Sequence, residues 1–150
     1  MGQRSKNASF MPNKFVFPGG AVDENDFLVK SFKQLNGNCT ARMTYKCNKD
    51  LVFALSVAAI RELFEETGII LGHKKEWTGV IPPEWEPFAN LGLVPDASNF
   101  KFVFRAITPP GRPRRFDARF LYLDADTLSE EANLDDFSSA SNELTHLQWI

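Results

Sequence analysis

Cysteine and histidine are scarce in this chain, which has two residues of each among its 150. Cys39 and Cys47 lie in one polar stretch with no histidine nearby, which argues against a zinc site. We therefore expect two ordinary thiols in a protein of a reducing compartment.

Long apolar runs are also missing, and residues 1–10, MGQRSKNASF, lack the apolar centre of a signal peptide. The sequence thus predicts a cytoplasmic protein without a membrane partner. The net charge of −2 and the pI of about 5.7 give no support for a nucleic-acid partner. Any anionic substrate must then be held by local groups.

The composition, by contrast, favours one domain with a real core, because 43% of the residues are apolar. Residues 58–71, AAIRELFEETGIIL, show how this domain is built. Apolar side chains recur with helical spacing up to Thr67, Gly68 can end the helix, and residues 69–71 begin an apolar run. A helix that leads directly into a strand is typical of an α/β fold.

Three glutamates share one side of this helix. With about 100° per residue and Glu62 at zero, Glu65 falls near 300° and Glu66 near 40°. One interpretation is a solvated face on which Arg61 neutralises Glu65. The other is a group of oxygen ligands for Mg²⁺ or Mn²⁺.

Two alternating stretches, residues 100–107 and 116–123, predict a hairpin with an arginine-rich connection. We expect the second strand to bury its even-numbered residues and to point its arginines the other way. Those even-numbered residues are Phe116, Ala118, Phe120 and Tyr122. Residues 14–17, 69–71, 77–80 and 144–150 are further strand candidates.

Residues 61–69, RELFEETGI, and residues 17–20, FPGG, carry a resemblance to a known family. They match the second half and the entry of the Nudix box, so the chain resembles the Nudix hydrolases. Asp26 stands where the box has a glutamate, and residues 27–60 replace a much shorter spacer. An expanded box of this kind is similar to the branch with peroxisomal coenzyme A diphosphatases and bacterial relatives.

The resemblance implies a single Nudix domain over residues 1–150, with an insertion at about residues 27–50 inside the box. We expect this polar insertion to be a surface excursion. The implied fold is an α/β/α sandwich with a mixed sheet, lacking the first strand and the C-terminal helix of the family. Such a chain would expose a sheet edge and favour a homo-oligomer.

The resemblance also implies the site. Gly20, Glu62, Glu65 and Glu66 would bind Mg²⁺ or Mn²⁺, and Arg61 and Gly68 would be structural. Glu143, six residues before Trp149, is a candidate catalytic base beside the three helix glutamates, and His146 is an alternative base. Arg112, Arg115 and Arg119 could bind substrate phosphates, although a solvated turn explains them equally well.

The implied activity is metal-dependent hydrolysis of a diphosphate bond in a nucleoside diphosphate derivative, such as coenzyme A or acyl-coenzyme A. Two alternatives stay open at this point. The first is a catalytically inactive Nudix module that binds a nucleotide or a protein. The second is an RNA-cap or dinucleotide hydrolase, which the acidic pI disfavours.

Overall fold

The computed structural model describes residues 1–8, 11–128 and 137–148. Its helices and strands are, in chain order, Gly2–Arg4 (β1), Phe15–Val16 (β2), Gly37–Met43 (α1), Lys49–Thr67 (α2), Gly72–Lys74 (β3), Glu86–Asn90 (α3), Leu93–Pro95 (β4), Lys101–Ile107 (β5), Asp117–Tyr122 (β6) and Leu144–Thr145 (β7). Short 3₁₀ turns lie at Glu24–Phe27, Pro83–Trp85 and Ala125–Thr127.

The strands pair into small antiparallel sheets, which confirms the predicted α/β class. Their orders are β2-β1-β7, β3-β4 and β5-β6. The predicted lack of a first strand is wrong, because β1 lies before β2 in the chain and pairs with both β2 and β7. Three residues with one glycine carry too little alternation to be recognised as a strand.

Other strand predictions differ in their bounds. In the run at 69–71 Ile69 and Leu71 are buried, but the run precedes the strand β3, and residues 77–80 form no strand. Of the predicted strand 144–150, β7 covers two residues, and 149–150 with Trp149 lie outside the described residues.

Helix α2 has defined ends, and its predicted end at Gly68 is confirmed. The Asn48 side chain accepts a hydrogen bond from the backbone N–H of Leu51 at 2.7 Å. At the other end Gly68 adopts φ 77°, a left-handed conformation that glycine accepts most readily. The N–H of Ser141 donates to the carbonyl of Glu65 at 2.7 Å, so the segment before β7 satisfies a carbonyl of the last turn.

The main core forms between α2, the loop around α3, strand β4 and the start of β5. Its fully enclosed members include Val57, Ile60, Trp85 and Phe88, and the rings of Trp85 and Phe88 lie 5.0 Å apart. Because Trp85 and Phe88 are completely buried, they pack in the core and are not available to stack on a ligand.

The insertion also contributes to this core, so the expected surface excursion is wrong. Val29, Leu35, Cys39 and Met43 are all buried and belong to the same apolar cluster as α2. The many polar residues around them obscured this pattern, because the four apolar residues are spread over a turn, a loop and the short helix α1.

Polar contacts fix the insertion as well. The Nζ atom of Lys33 lies 2.9 Å from Oδ2 of Asp96, and residues 33 and 96 form a parallel β-bridge. Hydrogen bonds from the Ser98 and Lys33 donors outweigh the effect of burial and lower the pKa of Asp96. The insertion is therefore attached to the strand-β4 side of the core by backbone, charge and packing together.

Strands β5 and β6 form the predicted hairpin, but their faces are the reverse of those expected. Phe102 pairs with Leu121 on the core side, whereas Phe104 pairs with Phe120 on the opposite side. The register shifts between Phe102 and Phe104, which is a β-bulge. Because the bulge adds one residue to β5, the simple alternation that we read from the sequence is broken there.

The even-numbered residues of β6 are not the core face. Phe116 and Tyr122 are about half exposed, and Phe120 is partly exposed. The Arg119 side chain, on the same face as Leu121, is only 5% exposed. The expected burial of Phe116 and Tyr122 is therefore wrong.

Both cysteine thiols are free, as expected. Cys39 is buried, and its sulfur accepts a hydrogen bond from the N–H of Phe102 at 3.2 Å. Within the described residues, no helix has the length and apolar content needed to cross a membrane.

We predict that Met43→Ala will lower the free energy of unfolding by about 2–5 kcal/mol, because it leaves a cavity in the main core. Tyr45→Ala, two residues away with an exposed side chain, should change it by less than about 0.5 kcal/mol. Urea denaturation followed by circular dichroism measures both values. Equal, small effects would show that the insertion does not support the core.

Candidate active site

The three glutamates of α2 face the loop that follows β2. Together with residues of three other segments they line a cavity of about 460 Å³. Its lining consists of Arg4, Gly19, Gly20, Glu62, Glu65, Glu66, Ser141 and Glu143. The structure thus brings every predicted metal-binding residue and the predicted base to one place.

Glu66 lies deepest in this group, with 2% of its surface exposed. Its Oε2 atom accepts a hydrogen bond from the backbone N–H of Gly19 at 2.8 Å. Burial raises the pKa of Glu66 to about 7, and the nearby charges of Glu62 and Glu143 act in the same direction. The Gly19 N–H and Arg4 oppose this rise, so Glu66 sits where a positive charge would be strongly favoured.

Glu62 approaches the glycine loop closely. A Cβ atom at Gly20 would overlap the Glu62 carboxylate in its present position, so this carboxylate lies directly against the glycine backbone. Burial raises the pKa of Glu62 as well, with Arg61 opposing and the charges of Glu65 and Glu143 adding to the rise. Two neighbouring acids with raised pKa values are typical of a functional site.

Arg61 connects the helix with the loop in front of it. Its Nε and Nη2 atoms donate to the two carboxylate oxygens of Asp26 at 3.0 and 3.1 Å. Its Nη1 atom lies 2.9 Å from Glu62 and 3.2 Å from Glu65. Nη2 also donates to the carbonyl of Ala21 at 3.0 Å.

Asp26 is completely buried and therefore depends on this arginine. Burial alone would lower the pKa of Arg61, but the hydrogen bond and charge of Asp26, with those of Glu62, raise it well above its ordinary value. Arg61 therefore stays charged, and it connects Asp26 and Ala21 with the helix glutamates. Its structural role stays a prediction.

A second depression of about 300 Å³ shares Glu62 and Glu65 with the main cavity. Its remaining lining residues are Ala21, Val22, Asp23, Asn25, Arg61 and Glu84. Glu84, from the 3₁₀ turn Pro83–Trp85, adds a further carboxylate to this depression.

Glu143 reaches the main cavity from the segment before β7. The carbonyl of Glu143 accepts a hydrogen bond from the N–H of Ser5 at 3.2 Å, which attaches this segment to the end of β1. The side chain is exposed and faces Glu62 and Glu66 closely enough to raise both pKa values. His146, the alternative base, does not line the cavity.

The three candidate phosphate-binding arginines lie elsewhere. Arg112 and Arg115 are exposed in the connection between β5 and β6, and Nε of Arg115 donates to the carbonyl of Thr108 at 3.3 Å. Nη1 of Arg119 is held by the carbonyl of Asp117 at 2.7 Å and its Oδ1 at 3.1 Å. None of the three lines the carboxylate cavity, so they are not part of it.

Arg4 is the residue that the sequence did not reveal. It comes from β1, far from α2 in the chain, and lines the same cavity as the glutamates. Its positive charge lowers the pKa of Glu66. A lone arginine in a polar N-terminal stretch carries no signal, because only the pairing of β1 with β2 brings it to the site.

The donor groups suit a divalent cation, since glutamate oxygens and backbone carbonyls are hard ligands. Glu62 is partly buried and Glu66 is buried, and a positive ion would relieve the repulsion between their carboxylates. Within the ranges that the structure describes, no three His, Cys, Asp or Glu side chains are already arranged to hold a metal. Glu62 and Glu65 are turned toward Arg61, so they would have to rotate to become ligands.

The known proteins to which this chain is similar have names of Nudix hydrolases or diphosphatases. A Caenorhabditis elegans protein with the provisional name nudix hydrolase 7 is 30% identical over 162 aligned positions, covering 99% of this chain and 44% of that protein. The acyl-coenzyme A diphosphatase NUDT19 of Xenopus laevis is 37% identical over 114 positions, covering 61% of this chain and 28% of that protein. The chain thus spans less than half the length of the curated relatives that it matches.

No family model matches the chain. A crystal structure of a Nudix hydrolase from Alicyclobacillus acidocaldarius superposes with a TM-score of 0.57 at 27% identity, covering 80% of this chain and 58% of that one. The relatives and the structural neighbour agree with each other and with the motif found on α2. This chain belongs to the Nudix hydrolase superfamily.

Proposed function

We propose that the carboxylate cavity hydrolyses a diphosphate bond in a nucleoside diphosphate derivative, with Mg²⁺ or Mn²⁺ as cofactor. The single observation that carries this proposal is the meeting of Glu62, Glu65 and Glu66 with Gly19 and Gly20 around one cavity. Two relatives named acyl-coenzyme A diphosphatase support coenzyme A or acyl-coenzyme A as the substrate class.

In this proposal Glu62, Glu65, Glu66 and the carbonyl of Gly20 hold the cation. A bound divalent cation neutralises charge on the diphosphate and lowers the pKa of water. The Gly19 N–H fixes the orientation of Glu66, and Arg61 fixes the side of α2 that faces the loop. Glu143, exposed at the edge of the cavity, takes the proton from the attacking water.

Arg4 provides a positive charge in the same cavity, where a diphosphate oxygen would lie. The reaction would release two products that each carry a phosphate group. A screen of coenzyme A, acyl-coenzyme A, dinucleotides and capped RNA fragments with Mg²⁺ or Mn²⁺, with products identified by mass, tests the substrate class. Binding of these compounds without turnover would favour the inactive module instead.

We predict that Glu66→Gln will greatly weaken Mn²⁺ binding and reduce turnover, because it removes a charge at the buried centre of the cavity. Electron paramagnetic resonance measures Mn²⁺ binding, and the mass-based assay measures turnover. Glu76→Gln makes the same chemical change at an exposed position and should affect neither. Unchanged metal affinity in Glu66→Gln would exclude the proposed metal site.

We also predict a pH-dependent effect of Glu66 on stability without metal. The folded-state pKa of about 7 lies above the ordinary value of 4.5, so the stability that protonated Glu66 contributes is lost as the pH rises through 7. Glu66→Gln should therefore raise the free energy of unfolding by roughly 1–3 kcal/mol at pH 8, and by less at pH 5. Denaturation in EDTA at both pH values tests this, with Glu76→Gln as the control.

A further prediction concerns Arg61. Arg61→Lys keeps the charge but cannot donate to both oxygens of Asp26, so we expect a loss of about 1–3 kcal/mol in stability together with reduced turnover. Asp26→Asn should have a similar effect on stability. If the two residues act as a pair, the double variant will lose clearly less than the sum of the single losses. Simple additivity would show that they act independently.

A further inference from the structure

Arg119 is a buried arginine of strand β6 with one edge of its guanidinium group unpaired. Its side chain is only 5% exposed. Nη1 donates to the carbonyl of Asp117 at 2.7 Å and lies 3.1 Å from the Asp117 carboxylate. Nε and Nη2 are buried as well, but they have no hydrogen-bond partner among the described residues. Because buried polar groups in folded proteins nearly always have a partner, this edge requires an explanation.

The geometry of the unpaired edge indicates the kind of partner that it would take. A guanidinium group is planar and always charged, and its Nε and Nη2 donors on one edge point in nearly the same direction. Such an edge matches two oxygens of one carboxylate or phosphate group, with which it forms two parallel hydrogen bonds. A neutral acceptor would satisfy a donor but would leave the buried charge uncompensated. An oxyanion satisfies both requirements.

The surroundings of Arg119 carry more positive than negative charge. Arg105 lies directly opposite Arg119 in the hairpin, and both side chains contact the same carboxylate, that of Asp117. Arg105 holds this carboxylate with two hydrogen bonds of 2.6 Å. These hydrogen bonds, together with the charges of both arginines, lower the pKa of Asp117. One carboxylate therefore serves two guanidinium groups, and one positive charge of the three residues is left over.

A third arginine comes to this face of the hairpin from the insertion. Arg42 of α1 donates to the carbonyl of Phe102 at 2.8 Å, and its guanidinium lies 5.0 Å from the centre of the Phe102 ring. In the other direction, Nη1 of Arg105 donates to the carbonyl of Tyr45, just after α1, at 2.8 Å. The hairpin and the insertion thus meet at arginine side chains. We call Arg42, Arg105, Asp117 and Arg119 the arginine junction.

We propose that the arginine junction binds one small free oxyanion of the phosphate type, with the Nε–Nη2 edge of Arg119 as its main contact. The donor atoms are enclosed, which favours a free ion over a phosphate group attached to a large molecule. The Asp117 side chain is 43% exposed, so the junction reaches the surface there. None of its four residues lines either of the two cavities that the described residues form beside α2. The ion is therefore not the diphosphate of the substrate, and the inference goes beyond the proposed function.

The test is calorimetric titration of inorganic phosphate into the full chain, in EDTA and at an ionic strength kept constant with NaCl. We expect the chain to bind phosphate. Arg119→Lys should weaken this binding about 10- to 100-fold, because lysine keeps the charge but has no planar edge with two donors. Arg115→Lys makes the same change at an exposed position of the same hairpin and should leave the affinity unchanged. A parent chain that binds no phosphate, or unchanged binding in a folded Arg119→Lys variant, would overturn the inference.

Asp117→Asn tests the same site with the opposite sign. It removes the negative charge beside the ion at a half-exposed position, so we expect phosphate to bind about 3- to 10-fold more tightly. This variant decides the matter if Arg119→Lys fails to fold, as judged by circular dichroism. Phosphate binding that stays the same or becomes weaker in Asp117→Asn contradicts an anion at this junction.

Two further titrations separate this site from the carboxylate cavity and from a larger ligand. Arg4 lines the carboxylate cavity, so phosphate binding that is lost in Arg4→Lys but kept in Arg119→Lys would place the ion in that cavity and overturn the inference. Phosphate binding that depends on Arg119 supports the junction even if no diphosphate substrate is hydrolysed. AMP carries a phosphate group on a large molecule and should not compete with the free ion. Competition by AMP as strong as that of phosphate would overturn the assignment of a small free ion.

Discussion

The contact between Arg61 and Asp26 determines how the rest of the site is arranged. Asp26 is completely buried, and the guanidinium donates to both of its carboxylate oxygens. The same guanidinium contacts Glu62 and Glu65 and holds the carbonyl of Ala21. One side chain therefore sets the distance between α2 and the loop after β2, and with it the shape of the cavity.

The helix and its carboxylates could be predicted from the sequence because their signals are local. The spacing of Glu62, Glu65 and Glu66 depends only on the geometry of one helix, and Gly68 ends that helix through its own backbone preference. The close approach of Gly20 to Glu62 also agrees with the family motif. Local sequence rules were therefore sufficient to predict the features that depend on a single segment.

The sequence did not predict the features that depend on contacts between residues far apart in the chain. Arg4 reaches the cavity through strand pairing, and Met43 enters the core from a stretch whose composition is polar. Nor does the sequence show the bulge of β5 between Phe102 and Phe104, or that Arg42, far away in the chain, donates to the carbonyl of Phe102. Alternation within one strand contains no information about such a partner.

The cavity glutamates and the exposed aromatic rings of the β5–β6 hairpin lie on different elements of the fold. The glutamates belong to α2. The exposed rings belong to the hairpin, where Arg42 of the insertion donates to the carbonyls of Phe102 and Val103 at the bulge. In related proteins the insertion could therefore change in length or sequence, and the hairpin surface could change with it, while the residues on α2 stay the same. The hairpin surface and the residues on α2 could then change independently of each other.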